Sequence, residues 1–367
     1  MISTQTLNST ELSDIQEKVL DGQRLDYEDG IKLFESDEIL TIGRLANIVR
    51  ERKNKNNTYY IINRHINYSN ICKSRCKFCA FSRDKDESDA YLMSIEDILN
   101  KASQVIEEGA TELHIVGGLH PELGLDFYVK MISSLHERFP KVHLQAFTAV
   151  EIAHFADISE ITIHETLREL KNAGLGSLPG GGAEVFSPSI REELCPEKLS
   201  GEYWLKTMRD AHGLGLRSNA TMLYGHIERN EDRVNHLLRL RELQEDTNGF
   251  MSFIPLAFHP KNTDLKGLSN TTGILDLKMF AIGRLMLDNF DHIKAFWIML
   301  GVKLAQVSLS FGVDDIDGTV AEEKITHSAG AVTPEALTVD EIESLIKETG
   351  RAPVERDTLY NRVIRSN

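Results

Sequence analysis

Cys72, Cys76 and Cys79 fall within one short stretch, spaced C-x3-C-x2-C. Three thiolates on a compact loop can hold three irons of a [4Fe-4S] cubane, which leaves the fourth iron without a protein ligand. A substrate can coordinate at such a vacancy, as water does at an open catalytic zinc. Zinc is the rival metal. Structural zinc takes four closed ligands, commonly from two C-x-x-C pairs, and only one such pair exists here. His65 could complete a Cys3His set, but its place is inside a strand. A third reading, buried inert thiols, fits poorly with a loop carrying Lys73, Arg75 and Lys77. The fourth cysteine, Cys195, stands far off in Leu194-Cys195-Pro196 and reads as structural.

A loop of this kind needs a rigid frame. From Tyr59 onward short strand-like stretches alternate with longer helical ones. Candidate strands cover 59–66, 112–116, 143–147, 183–186, 217–223, 250–255, 293–298 and 306–310. Helical patterns cover 95–107, 127–138, 164–172, 202–212, 232–244 and 275–289. Repeated β–α alternation predicts a parallel sheet with helices outside. About eight strands predict an α/β fold, a (β/α)8 TIM-type barrel, with a doubly wound open sheet as the alternative. The cysteine loop follows the first strand, on the face where barrel active sites lie.

Residues 1–57 read as an N-terminal helical extension, with Leu12, Ile15, Val19 and Leu20, then Ile42, Leu45, Ala46 and Val49, at helical spacing. Arg50, Arg52, Lys53 and Lys55 then form a solvated, charged helix end that suits the macrodipole. Residues 58–312 read as the barrel core, and 313–367 as a C-terminal extension packed on it. Within that extension 311–337 reads as loop, and a helix over 338–347 opens on a capping box of Thr338 and Glu341.

The balance of 41 Lys+Arg against 56 Asp+Glu, a net charge of −15, argues against a nucleic-acid partner, because such binders neutralise phosphates with a basic face. Clustered thiols in a large acidic chain point to metal and a reducing cytoplasm rather than to a disulfide framework. Met1–Gln5 has no basic or apolar signal character, and the longest apolar run, 295–302, is too short to span a bilayer. No membrane association is expected.

Phe78 completes the motif as C-x3-C-x-aromatic-C, the pattern of the radical S-adenosylmethionine superfamily. Longer strings resemble the aminofutalosine synthase family within it. They are Asn63-Arg64-His65-Ile66-Asn67-Tyr68, Cys79-Ala80-Phe81-Ser82-Arg83, Gly117-Gly118-Leu119-His120-Pro121, Phe147-Thr148-Ala149-Val150-Glu151-Ile152, Tyr224-Gly225-His226-Ile227-Glu228 and Ile325-Thr326-His327. The resemblance implies a [4Fe-4S] cluster on Cys72, Cys76 and Cys79, with S-adenosylmethionine consumed as co-substrate. It implies addition of a 5′-deoxyadenosyl radical to 3-[(1-carboxyvinyl)oxy]benzoate, then rearrangement and decarboxylation to 6-amino-6-deoxyfutalosine, in menaquinone biosynthesis. A flavodoxin or ferredoxin is the expected electron donor.

The same resemblance places Gly117 and Gly118 at the methionine amino group and Phe78 near adenine. A tight turn and a loop brace are the plainer readings of these residues. Glu151 is a candidate for ribose or the methionine end, or else a surface carboxylate. His120 and His259, each before a proline, are candidates for proton transfer or carboxylate binding, or else structural. Arg64 and Arg83 are candidate clamps for the substrate carboxylates. Gly181 and Gly182, with Glu184, could let backbone approach substrate, or form an ordinary loop. Sister families, the dehypoxanthine futalosine cyclase and the deazaflavin-forming synthase, share the cysteine motif, and Gly-Leu-His-Pro favours the first assignment. A non-catalytic iron–sulfur carrier would fill its fourth iron site with cysteine. A zinc-stabilised binding module is the reading furthest from catalysis.

Overall fold

The structure is a computed structural model that describes residues 11–106 and 109–365. Met1–Gln5, and Glu107 at the end of the expected helix 95–107, lie outside the described residues.

Three helices, Ser13–Leu20, Tyr27–Glu35 and Ile39–Asn54, come first, as the spacing predicts. The third buries Ile42, Leu45 and Ala46 against the helix Gly273–Met286. Gly43 lies directly under Phe311, where a Cβ would stand 2.4 Å from the ring. The charged helix end is not wholly solvated. Arg50 is fully buried and donates to the carbonyls of Lys55 (2.7 Å) and Asn57 and to the Thr58 hydroxyl (3.0 Å). Its guanidinium thus satisfies acceptors where the helix hands over to the first strand.

Ten strands follow among the described residues: β1 Asn57–Ile61, β2 Asn63–Asn67, β3 Glu112–Val116, β4 His143–Ala146, β5 Ser177–Leu178, β6 Arg217–Tyr224, β7 Phe250–Ala257, β8 His292–Ile293, β9 Asp315–Gly318 and β10 Ala352–Glu355. β2 to β8 pair in chain order, all parallel, as a curled seven-stranded sheet with helices between successive strands. This is the α/β, TIM-type architecture the alternation predicts. β1 lies in a second sheet of order β10-β1-β9.

The eighth stave is not where the pattern puts it. Residues 306–310 belong to a helical region around Val302–Ser308, in which Ala305, Ser308 and Leu309 are buried and Val307 is exposed. Residues 315–321 instead lie between the two edges of the curled sheet, with parallel bridges Lys294↔Asp315 on one side and Arg64↔Ala321 on the other. The Ala295 N–H donates to the Asp315 carbonyl (2.8 Å) and the His65 N–H to the Ala321 carbonyl (3.2 Å). Chain beyond residue 312 thus fills the barrel seam.

Three other strand expectations are corrected. Residues 59–66 form two strands broken at Ile62. Residues 183–186 are not a strand, since Gly180, Gly182 and Glu184 have φ of 86°, 84° and 50°, outside extended backbone; the fourth stave is β5. The 293–298 strand stops at Ile293, and Trp297–Leu300 is a short helix. The capping box at Thr338 is present on the helix Val339–Glu348. Among the described residues no helix is long and apolar enough to cross a membrane.

Candidate active site

A cavity of about 320 Å³ opens at the C-terminal ends of the barrel strands. Its walls come from the loops after successive strands: Cys72, Cys76, Phe78 and Cys79 after β2; Gly117 and Gly118 after β3; Glu151 after β4; Gly181, Gly182 and Glu184 after β5; His259 after β7.

The cysteine loop is fixed by backbone bonds to its neighbours. The Cys72 N–H donates to Arg83 (3.1 Å), Lys73 to Leu119 (2.9 Å) and Lys77 to Leu194 (2.9 Å), each to a carbonyl. The Arg75 N–H reaches the Glu197 carboxylate at 3.0 Å. Within the loop, the Cys79 N–H closes a turn on the Cys76 carbonyl at 2.9 Å. Cys76 is buried while Cys72 and Cys79 are half-buried. Burial pushes the Cys72 thiol up, and a hydrogen bond with Cys195 followed by burial does the same for Cys76. Three soft sulfur donors from one loop line the cavity, and they are the donor type that an iron–sulfur cubane takes. Because iron takes thiolates, loading must release their protons.

The glycines fit their plainer reading closely. A Cβ on Gly118 would stand 2.3 Å from the Ile71 carbonyl oxygen, and one on Gly117 2.7 Å from the Tyr68 ring. Bare backbone is what lets the β3 loop lie against the cysteine loop. Glu151 is buried and accepts from the Tyr68 hydroxyl (2.8 Å), the Gly117 N–H (3.0 Å) and the Thr148 N–H (2.7 Å). It closes a capping box with Thr148 on the helix Ala149–Ile158 and ties three loops together at the cavity wall. Burial raises its pKa.

Phe78 lines the cavity with the Lys198 ammonium 5.3 Å from its ring centre. Lys198 also pairs with Glu184 at 2.5 Å. Gly181 packs on Thr148, and its carbonyl accepts from the Trp204 indole at 3.0 Å. His259 Nε2 donates to the Met299 carbonyl at 2.8 Å, which leaves Nδ1 as an acceptor.

Three of the expected residues do not line the cavity. Arg64 points away from the barrel axis to Glu322 (2.7 Å). Arg83 is spent on Asp89 (2.8 Å) and on the Ala80 and Ser82 carbonyls (3.0 Å each). His120 is buried, with Nδ1 accepting from the Glu122 N–H at 3.2 Å. The cations that do line the cavity are Lys198 and Lys294, which sequence reasoning missed, together with a polar floor of His65, His114, Gln145, Asn219 and Asp317. For His114 and Gln145 the available signal was a polar residue set among apolar ones in a strand.

Two family models match the chain: the Radical SAM superfamily over residues 66–240 and the CofH/MqnC C-terminal region over 247–366. The chain is 46% identical over 353 residues to the aminodeoxyfutalosine synthase of Thermus thermophilus, covering 95% of each protein. It is 45% identical over 358 residues to that of Streptomyces coelicolor, covering 95% of this chain and 92% of the relative. It is 39% identical over 364 residues to a 5-amino-6-(D-ribitylamino)uracil–L-tyrosine 4-hydroxyphenyl transferase of Methanosarcina acetivorans, covering 97% and 96%. Among solved structures, methylornithine synthase superposes with a TM-score of 0.74 at 18% identity, covering 92% of this chain and 97% of the other. The hydrogenase maturase HydG from Carboxydothermus hydrogenoformans gives the same score and identity over 95% of this chain and 80% of its own. These two likenesses concern the fold.

Proposed function

The chain belongs to the radical SAM superfamily, enzymes that use a [4Fe-4S] cluster and S-adenosylmethionine, and from that premise we propose that it converts 3-[(1-carboxyvinyl)oxy]benzoate to 6-amino-6-deoxyfutalosine. The observation that carries this reading is the 46% identity to an aminodeoxyfutalosine synthase over nearly the full length of both chains, against 39% to the tyrosine transferase of Methanosarcina acetivorans. The Gly117-Gly118-Leu119-His120-Pro121 string supports it.

Cys72, Cys76 and Cys79 hold the cluster. When bound, it supplies the electron that splits the co-substrate into methionine and a 5′-deoxyadenosyl radical. The protein's part is placement. Glu151 locks the loops after β2, β3 and β4 into one wall, so that the bound molecules meet a preorganised surface. Lys198, between Phe78 and Glu184, gives the mouth a fixed positive charge for a carboxylate. His259, with its Nε2 proton held by Met299, offers Nδ1 as a proton acceptor. The adenosyl group ends in the product and the enolpyruvyl carboxylate leaves as bicarbonate. A flavodoxin or ferredoxin in a reducing cytoplasm provides the electron.

The test is anaerobic. Cluster-loaded enzyme is reduced with dithionite and given S-adenosylmethionine and 3-[(1-carboxyvinyl)oxy]benzoate, and products are read by mass spectrometry. The expected product is 6-amino-6-deoxyfutalosine. Formation of 5′-deoxyadenosine alone would sink the substrate assignment. The second reading is the tyrosine transferase type, favoured by the 39% relative; product from L-tyrosine and 5-amino-6-(D-ribitylamino)uracil would establish it instead.

A further inference from the structure

Barrel interiors are normally packed with branched apolar side chains. The floor of this cavity is not. β2 and β3 set His65 and His114 at the same register, and their rings stack 4.2 Å apart at 7°. Phe296 lies parallel to His65 at 5.9 Å. His114 is level with Gln145 on β4, whose amide meets Ser177 (3.2 Å) and Asn219 (3.4 Å). Beside the seam, Lys294 Nζ stands 3.4 Å from Asp317.

Gln145 and Asn219 satisfy each other and Ser252. Two groups on this floor remain under-used. His65 Nε2 is buried and has no hydrogen-bond partner among the described residues. A buried polar atom without a partner carries a desolvation cost that a bound group can relieve. Lys294 carries three donors, and its contact with Asp317 is longer than the roughly 2.7–2.9 Å of a good charged hydrogen bond. Burial pushes both His65 and His114 down, so the imidazoles are neutral and can each donate one N–H. Flat rings, an imidazole nitrogen without a partner and a loosely paired ammonium together suit an aromatic acid.

We infer that this floor is the subsite for the ring carboxylate of the substrate, received by Lys294 Nζ and the His65 Nε2 proton, with the aryl ring against Phe296 and the imidazole stack. The inference rests on the substrate reading above. Direction follows from the cavity's two ends. The enol carbons must face the cysteine side, where the adenosyl radical is delivered. The ring carboxylate is the polar group most remote from them and therefore points to the floor. Burial already pushes the Asp317 carboxyl up, so it can take a proton as a second carboxylate arrives.

The experiment compares two ligands on cluster-loaded, unreduced enzyme by titration calorimetry: 3-[(1-carboxyvinyl)oxy]benzoate and 2-phenoxyacrylate, which lacks only the ring carboxylate. Charge-assisted bonds of the usual strength make the first bind about 10- to 100-fold tighter to the wild type. In Lys294→Met that gap closes to within about threefold while 2-phenoxyacrylate affinity is kept, which reports an intact barrel. His65→Phe closes part of it. Equal binding of both ligands to the wild type overturns the subsite, and so does an undiminished gap in Lys294→Met. If Lys294→Met binds neither ligand, Lys294→Gln and His65→Phe decide, and an undiminished gap in both overturns the proposal. Wild-type turnover separates the two failures: turnover without a gap removes the subsite alone, whereas neither turnover nor binding removes the substrate reading.

Discussion

At the scale of single residues, the cysteines divide into ligands and a neighbour. Cys76→Ala is expected to abolish both cluster loading and turnover. Cys195→Ala, which removes a thiol hydrogen-bonded to Cys76 but outside the motif, is expected to keep a full complement of iron and sulfide. Metal and sulfide analysis of the two variants checks this, and loss of iron in Cys195→Ala would make Cys195 part of the centre. Glu151→Gln should destabilise the fold by about 1–3 kcal/mol, because an amide cannot accept from all of Tyr68, Gly117 and Thr148; a denaturant melt reads it. The cysteines were legible because their spacing is itself the chemistry. The clamp was not. Arg64 and His65 are neighbours on β2, so one must face in and one out. All five residues of that strand are buried, and the sequence offers no polarity step to say which parity faces the axis. Arginine's fitness for carboxylates pointed to Arg64; the strand's parity put His65 inside.

At the scale of elements, the segment from Glu323 to Thr333 forms part of the cavity wall through Glu323, Ile325, Thr326 and Ala329. His327 Nδ1 faces the Glu323 carbonyl and Nε2 the Thr333 carbonyl, so both nitrogens must donate and the ring is an imidazolium. Its hydrogen bond to Glu323 raises its pKa from 6.5 to about 9. A raised folded-state value means the contribution is complete below about pH 6.5 and lost as pH rises through about 9. Hydrogen exchange across 323–333 should therefore quicken over that interval, and His327→Gln should flatten the change. The eighth stave escaped the pattern for an electrostatic reason. Residues 314–317 read Asp-Asp-Ile-Asp, a loop by composition. In the fold Asp314 meets Arg284 and His292, and Asp315 meets Arg356 at 2.6 Å with both side chains buried. Partners far along the chain turn loop-like charges into a stave. Arg356→Ala leaves the Asp315 charge buried and unpaired and is expected to cost about 3–5 kcal/mol, read from the denaturant midpoint.

At the scale of the whole molecule, the alternation of strand and helix sufficed for the architecture, but not for the way the barrel is completed. A chain ending at residue 312 lacks 315–321 between β2 and β8 and lacks β10 beside β1. It is expected to show no cooperative thermal transition, and a sharp melt would mean that the seam contributes nothing to folding. The net charge of −15 coexists with two cations in the cavity wall, Lys198 and Lys294, each beside a carboxylate, so an anionic ligand is met by local placement and not by a basic surface.

The two matched families adjoin between residues 240 and 247, and the floor of the cavity straddles that junction. His65 and His114 stand before it, Lys294 and Asp317 after it. A recombination event at the junction would keep the cysteine loop entire yet join one ancestor's imidazoles to another's ammonium and carboxylate. Replacing one half with a relative's would therefore test whether the two sides of the floor must match, at a boundary that looks, from the matches alone, like a place where genes could safely be cut.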